Sequence, residues 1–175
     1  FYLEMWNKVL GRLGFNTTVE NPYWDKTKGE MADKCKNKEF LSKVIKKSIS
    51  CSSPVKAKWK KLPPQHCGYC VPCLIRRAAM QKAFGLGKDC TDYTQESTNA
   101  ILKDHANAVG SQLRSFQLAI NRIKKQPNIS KVLIHKPGPL KNDAGYLDRL
   151  AGVYTRGLLE VDDFINGSLV DEVQE

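Results

Sequence analysis

Four of the six cysteines have the spacing of a metal centre. Cys67 and Cys70 enclose the dipeptide Gly68-Tyr69, Cys73 follows three residues later, and fifteen residues separate Cys51 from Cys67. Glycine lets the backbone turn tightly enough for both sulfurs of the Cys-x-x-Cys unit to face one ion. Four thiolates form the closed tetrahedral shell of a structural zinc site. The spacing therefore predicts structural zinc bound by Cys51, Cys67, Cys70 and Cys73.

Other uses of the cysteines stay open at this point. An iron–sulfur cluster also takes four thiolates, reduced cysteines can pack in a core, and Cys67 with Cys70 could form a redox pair. His66 could replace a ligand, although we expect the all-cysteine set. We expect Cys35 and Cys90 to be buried apolar residues, and we expect a cytoplasmic protein in which thiols stay reduced.

Positive charge is concentrated in the first half of the chain. Residues 1–90 carry 18 Lys/Arg and 7 Asp/Glu, whereas residues 91–175 carry 10 and 11. No acidic residue lies between Glu39 and Asp89, where eleven basic residues occur. Such a field attracts the phosphates of a nucleotide, tRNA or DNA. A solvated basic surface that only keeps the protein soluble is the alternative.

Apolar spacing predicts the elements that position these side chains in the first half. Helical spacing over residues 2–13 ends at Gly14, and its apolar face leads us to expect a further segment before Phe1. The apolar stretch Phe15 to Val19 indicates a strand. Thr27 and Glu30 form the pattern of a capping box that begins a helix, and a helical stripe runs from Phe40 to Ile45. Helix, strand and helix in this order predict part of an α/β layer.

The rest of the chain is predicted to be mostly α-helical. Prolines and lysines in residues 52–66 argue against regular structure there, and a helix follows Cys73 until Gly85. Further helical spacing covers residues 101–109, 113–123 and 146–161, with a possible short strand at Val132 to Ile134. No run of about eighteen apolar residues occurs, so we expect no membrane-spanning helix.

Several motifs follow one another in a specific order within residues 1–88. They are Asn21-Pro22, Asp25-Lys26-Thr27-Lys28-Gly29-Glu30-Met31, Ser50-Cys51-Ser52 and Cys67-Gly68-Tyr69-Cys70-Val71-Pro72-Cys73-Leu74-Ile75-Arg76-Arg77-Ala78. In this order they resemble the C-terminal part of the QueC-like 7-cyano-7-deazaguanine synthases. Either the cysteine motif or the Thr-Lys-x-Glu motif alone would be a weak signal, whereas the combination is specific.

The resemblance implies a fold, an activity and site residues. Residues 1–90 would be the C-terminal portion of a doubly wound α/β PP-loop domain with a four-cysteine zinc lobe, and residues 91–175 a mostly helical extension. Such enzymes use ATP, with magnesium, to adenylate a carboxylate on a 7-deazaguanine, and ammonia then forms the amide and the nitrile. The four cysteines would bind zinc, while Thr27, Lys28 and Arg76 would bind substrate or nucleotide phosphates.

The chain departs from the housekeeping enzymes in three ways. It contains no Gly-Gly pair and therefore no PP-loop, so we expect this portion alone to be inactive. The lysine-rich segment between Cys51 and Cys67 is long, and residues 91–175 extend past the usual end of the enzyme. These departures resemble the QatC group of antiphage proteins.

A different class of function stays open beside the enzyme. A zinc-stabilised module without catalysis could bind nucleic acid, with Trp59, Tyr69 and His66 stacking on unpaired bases between lysines. The helical second half could instead dock a protein partner in a defence complex.

Overall fold

A computed structural model of the chain describes residues 2–96, 107–138, 140 and 142–170. Seven α-helices form in these ranges: α1 Tyr2–Arg12, α2 Lys28–Asp33, α3 Lys38–Ile45, α4 Val71–Phe84, α5 Ala108–Lys125, α6 Ser130–Leu133 and α7 Ala144–Val170. Two 3-10 helices span Pro54–Lys60 and Pro127–Ile129. No described helix is both long and apolar enough to cross a membrane.

The predicted α/β layer finds no support in the structure. Across the described ranges, β pairing is limited to one parallel bridge between His66 and Tyr93. The strand predicted at Phe15 to Val19 is wrong, because the backbone N–H and C=O of Val19 hydrogen-bond to the side-chain amide of Asn7 at 2.7 and 3.0 Å. A strand is stable only beside further strands. Here the Asn7 side chain, and not a neighbouring strand, binds the backbone of Val19.

The possible strand at Val132 to Ile134 is also wrong, since Ser130–Leu133 is helical. The proline before it explains the difference in part. Pro127 begins a 3-10 helix that continues directly into α6, because the fixed φ of proline suits the first residues of a helix.

One helix start and one helix end agree with the sequence. Thr27 caps α2, where its hydroxyl accepts the N–H of Glu30 at 3.0 Å and the Glu30 carboxylate accepts the N–H of Thr27 at 2.9 Å. The predicted capping box is therefore confirmed. Helix α4 has Pro72 in its first turn and ends at Gly85, whose φ is +97°.

The lysine-rich segment after Cys51 contains more regular structure than predicted. Pro54–Lys60 forms a 3-10 helix with Pro54 in its first turn, and Lys61 ends it in the left-handed conformation. Ala57 faces inward and is only 1% exposed. A proline at the start and a small buried residue on one side are enough to order this short helix.

The core lies among α4, α5 and α7. Its fully and nearly buried members are Leu74, Ala78, Leu113, Ile120, Ile123, Leu158, Val161, Phe164 and Ile165. The helices predicted over residues 113–123 and 146–161 are confirmed, and the one predicted over residues 101–109 falls largely outside the described residues. The core contains residues from both sides of the predicted boundary at residue 90. Helix α2 packs on α4.

Candidate metal centre

Four cysteine sulfurs lie close together in one cluster. The Sγ atoms of Cys51, Cys67, Cys70 and Cys73 all lie within 4.8 Å of one another, and the pairs Cys51–Cys70 and Cys67–Cys73 are each 3.9 Å apart. Bonds of about 2.3 Å to a tetrahedral zinc ion would place the sulfurs about 3.8 Å apart. The predicted cluster is confirmed, and it could hold a metal ion such as zinc. This spacing favours one ion over a cluster of several iron atoms, which would hold its thiolates farther apart.

The backbone places each sulfur and directs N–H groups towards it. Cys67 and Cys70 flank Gly68, whose φ of +92° makes the turn, and Cys73 lies in the first turn of α4. The N–H groups of Ser53 and Cys67 donate to Cys51 Sγ, each at 3.3 Å, and the N–H of Cys70 donates to Cys67 Sγ at 3.4 Å. Such donors stabilise sulfur in its thiolate form.

The cysteines differ in acidity because they share hydrogen bonds in a buried place. The hydrogen bond between the Cys67 and Cys73 sulfurs, together with the surrounding N–H groups, lowers the pKa of Cys67 to about 4 against the effect of burial. The same hydrogen bond, together with burial, raises the pKa of Cys73. Burial is the main cause that raises the pKa of Cys51. Crowded thiolates out of water need a cation to balance their charge, so this donor set fits a bound metal.

His66 lies beside the cluster and supports it without joining it. Its side chain is 3% exposed, and Nε2 accepts the N–H of Ser50 at 3.1 Å. An accepting Nε2 requires the neutral ring with its proton on Nδ1, and burial lowers the pKa of this histidine. His66 therefore joins the segment before Cys51 to the segment before Cys67, and the all-cysteine set agrees with the prediction.

Residues 93–95 form a strap over the cysteine turn that the sequence did not indicate. The N–H groups of Thr94 and Gln95 donate to the carbonyls of His66 and Cys67 at 2.8 and 3.1 Å. Arg77 holds the strap, since it donates to Gln95 O at 2.6 Å and its guanidinium lies 3.9 Å from the centre of the Tyr93 ring. No spacing rule connects these two parts of the chain.

The other two cysteines lie outside the cluster. Cys35 Sγ donates to Asn37 O at 3.6 Å and Cys90 Sγ donates to Ser42 O at 3.7 Å. Their exclusion from the ligand set agrees with the prediction. Both are only partly buried, so their predicted burial is wrong.

Two of the residues assigned to substrate binding by the resemblance line one cavity. Lys28 and Arg76 border a space of about 390 Å³ between α2, α3 and α4. Ser50, the neighbour of Cys51, lies in the same wall. The remaining lining is mostly apolar: Met31, Ala32, Cys35, Leu41, Ile45, Ser48, Ala79 and Met80.

Arg76 is buried and also orders the wall of this cavity. It donates to Ile45 O at 2.5 Å, to Ser48 Oγ at 3.0 Å and to Thr91 Oγ1 at 3.1 Å. The bonds to Ile45 and Ser48 join α4 to the segment that runs from the end of α3 to Cys51, and the bond to Thr91 joins α4 to the segment after Asp89. The cation is therefore fixed one turn after Cys73, and part of its hydrogen-bonding capacity serves the fold.

Thr27 lies in a different place from Arg76. Its hydroxyl accepts the N–H of Glu30 and donates to Glu160 of α7. It lines a second cavity of about 380 Å³ between the start of α2, α4 and α7. Lys28 lines both cavities, so the three residues do not converge on one point.

The arrangement combines a rigid lobe with an apolar cavity that carries cations. Four sulfurs leave no coordination position for water or substrate, as in structural zinc sites. The cavity beside α2 has mostly apolar walls and two cationic side chains, and apolar walls with few polar groups are typical of small-molecule sites. No protein-family model, curated protein or solved structure matches this chain.

Proposed function

We propose that this chain is the C-terminal portion of a QueC-like ATP-dependent enzyme that activates a 7-deazaguanine carboxylate and converts it to an amide or nitrile. The observation that carries the proposal is the shared cavity of Lys28 and Arg76, bordered by Ser50 next to Cys51. The motif order of residues 1–88 connects these residues to that family. The QatC-like character of the sequence favours a role in bacterial antiphage defence in the cytoplasm.

In this proposal the cavity holds the deazapurine ring. A volume of about 390 Å³ lies within the range of about 300–1,000 Å³ that is usual for ligand pockets. Apolar side chains would contact the faces of the ring, and the exposed ammonium of Lys28 would pair with the carboxylate. Structural zinc would keep Ser50 and α4 at a fixed distance from the ring.

The chemistry would take place in two adenylation steps. A carboxylate oxygen attacks the α-phosphorus of ATP and pyrophosphate leaves; ammonia then attacks the acyl carbon, AMP leaves, and the amide forms with loss of a proton. For the nitrile, the amide oxygen attacks the α-phosphorus of a second ATP and pyrophosphate leaves. The amide nitrogen then loses both of its protons as AMP departs with the oxygen and the carbon–nitrogen triple bond forms. We assign ATP and magnesium to the doubly wound PP-loop α/β domain of the complete enzyme, because the chain itself contains no Gly-Gly loop.

Ligand binding to the metal-loaded chain tests this proposal. Isothermal titration calorimetry with 7-carboxy-7-deazaguanine is expected to show one saturable site. Lys28→Ala should weaken binding about tenfold or more, because it removes the charge partner of the carboxylate. Lys36→Ala is the matched control, since Lys36 is exposed and lines neither cavity.

The same titration can contradict the proposal. If the folded, metal-loaded chain showed no saturable binding, the cavity would not be a site for the deazapurine. Equal losses in Lys28→Ala and Lys36→Ala would show that net charge, and not this cavity, attracts the ligand.

A further inference from the structure

Trp59 is exposed to solvent although its backbone lies in a regular 3-10 helix. Its side chain is 90% exposed, although tryptophan is highly buried on average. It lies in the 3-10 helix Pro54–Lys60, and Ala57 on a neighbouring row of this helix is buried at 1% exposure. The indole therefore presents its flat apolar faces to solvent from an ordered backbone.

Four lysines lie within three positions of Trp59 in the chain. In a 3-10 helix, residues three apart share a row, so Lys56 and Trp59 lie on the same row. Lys58 and Lys60 are the sequence neighbours of Trp59, and Lys61 ends the helix. Lys56 Nζ lies 5.9 Å from the centre of the Tyr69 ring. Among the residues that the structure describes, none of the four lysines pairs with a carboxylate.

The surface is joined to the candidate metal centre. Ser53, which precedes the helix, donates its N–H to Cys51 Sγ at 3.3 Å. At the other end the Leu62 N–H donates to Ala57 O at 3.1 Å, and Lys60 Nζ donates to Thr94 O at 3.0 Å. A surface fixed in this way loses little conformational entropy when it binds a ligand.

We propose that Pro54–Lys61 is a contact surface for single-stranded nucleic acid, in which an unpaired base stacks on Trp59 and the adjacent lysines contact phosphates. The partner is a polyanion because no acidic residue occurs from residue 40 to residue 88. It is single-stranded because only an unpaired base exposes its face to an indole. This surface goes beyond the proposed enzyme activity and does not depend on what the cavity binds.

Fluorescence anisotropy of labelled 12-nucleotide oligothymidylate and oligouridylate, titrated with the full metal-loaded chain, tests the stacking. Trp59→Ala should weaken binding about fivefold or more, as expected for one stacked base. Trp59→Phe keeps an aromatic face and should stay within about threefold of the wild type. Trp6→Ala is the matched control, because Trp6 is also exposed but lies on α1.

A charge-swap pair tests the lysines. The double variant Lys56→Glu/Lys58→Glu should reduce the slope of log K against log salt by about 1.4, given about 0.7 for each phosphate contact on a single strand. The control Lys34→Glu/Lys36→Glu changes the net charge equally and should leave most of the slope. Unchanged metal content and thermal unfolding would show that each variant is folded.

Three results would overturn this proposal. The first is absence of oligonucleotide binding by the folded wild type at low salt. The second is an equal loss of affinity in both double variants, which would indicate net charge alone. The third is Trp59-dependent binding to vesicles containing about 30% phosphatidylserine without binding to either oligonucleotide, which would assign the surface to a membrane.

Discussion

Arg156 and Glu30 are 126 positions apart and form an ion pair, with Arg156 Nε donating to Glu30 Oε1 over 2.6 Å. The same guanidinium donates to Asp25 O at 2.8 Å. The Glu30 carboxylate also accepts the N–H of Thr27, so the capping box of α2 and the ion pair share one side chain. The pair therefore fixes the start of α2, which contains Lys28, on α7.

Acid is expected to weaken this link. The hydrogen bond from Arg156 is the main cause that lowers the pKa of Glu30, and the N–H of Thr27 adds to it, while burial opposes both. A carboxyl group whose pKa is lowered on folding stabilises the protein above its unfolded pKa of about 4.3. That stability is lost as the pH falls through the lower, folded pKa. Glu30→Gln should therefore destabilise the protein by about 1 kcal/mol at pH 7, and the difference should shrink below about pH 4.

Urea denaturation of the wild type and Glu30→Gln between about pH 7 and pH 3 measures this difference. Glu39→Gln is the control, because Glu39 forms only an exposed pair with Lys43 on α3. A difference between wild type and Glu30→Gln that stays constant over this pH range would exclude titration of Glu30 as its source.

The Thr27 hydroxyl is expected to stabilise the fold. Valine has nearly the same shape but can neither accept the N–H of Glu30 nor donate to Glu160. Thr27→Val should lower the free energy of unfolding by about 2 kcal/mol, from the lost cap and a buried carboxylate that loses a donor. Urea denaturation measures this loss, and the exposed Thr18→Val should stay within about 0.5 kcal/mol. A similar small effect for Thr27→Val would assign its hydroxyl to another role.

Local patterns could be predicted from the sequence because the residues that make them are close together in the chain. The capping box of Thr27 and Glu30 spans a single helical turn, and the helical stripe of α5 needs one face of a single helix. The cysteine cluster was predictable over a longer distance because four thiolates have few other uses in one place.

The remaining features depend on partners far away in the chain. A strand at Phe15 to Val19 would need a neighbouring strand, and its apolar pattern could not show that Asn7 would bind its backbone instead. Thr27 resembled a phosphate-site residue, yet its hydroxyl contacts Glu160, 133 positions later. Neither spacing nor composition specifies such pairs, because they form only when separate parts of the chain pack together.

Removal of one sulfur is expected to abolish metal binding. Cys73 is fully buried and lies in the first turn of α4, so its substitution removes a sulfur that the helix holds in place. Elemental analysis of the purified chain should find about one zinc ion for each wild-type molecule and little in Cys73→Ala. Chelation should lower the Tm of the wild type strongly, because binding of structural zinc contributes about 10 kcal/mol or more to folding.

Cys90→Ala provides the control, since Cys90 lies outside the cluster and this variant should keep its metal. If the wild type contained iron and acid-labile sulfide, the four cysteines would bind an iron–sulfur cluster and not a single zinc ion. Full zinc content in Cys73→Ala would contradict the ligand set.

Gly68 is expected to be the most sensitive glycine of the metal lobe. An alanine Cβ at this position would lie 2.3 Å from the carbonyl oxygen of Gln95, and the φ of +92° already disfavours a side chain. Left-handed backbone costs about 1–2 kcal/mol for alanine, and the collision with the strap adds to this. Gly68→Ala should lower the free energy of unfolding by about 3 kcal/mol and weaken zinc binding in competition with a chelator.

Gly87→Ala separates the two causes. The φ of Gly87 is +67°, but an alanine Cβ at this position would have no neighbouring atom within 4 Å, so its substitution tests backbone strain without a collision. We expect a loss of about 1 kcal/mol and unchanged zinc affinity. Equal losses for both variants would mean that the strap moves away from the cysteine turn at little cost, and the hydrogen bond from Gln95 to Cys67 would then contribute little to the metal lobe.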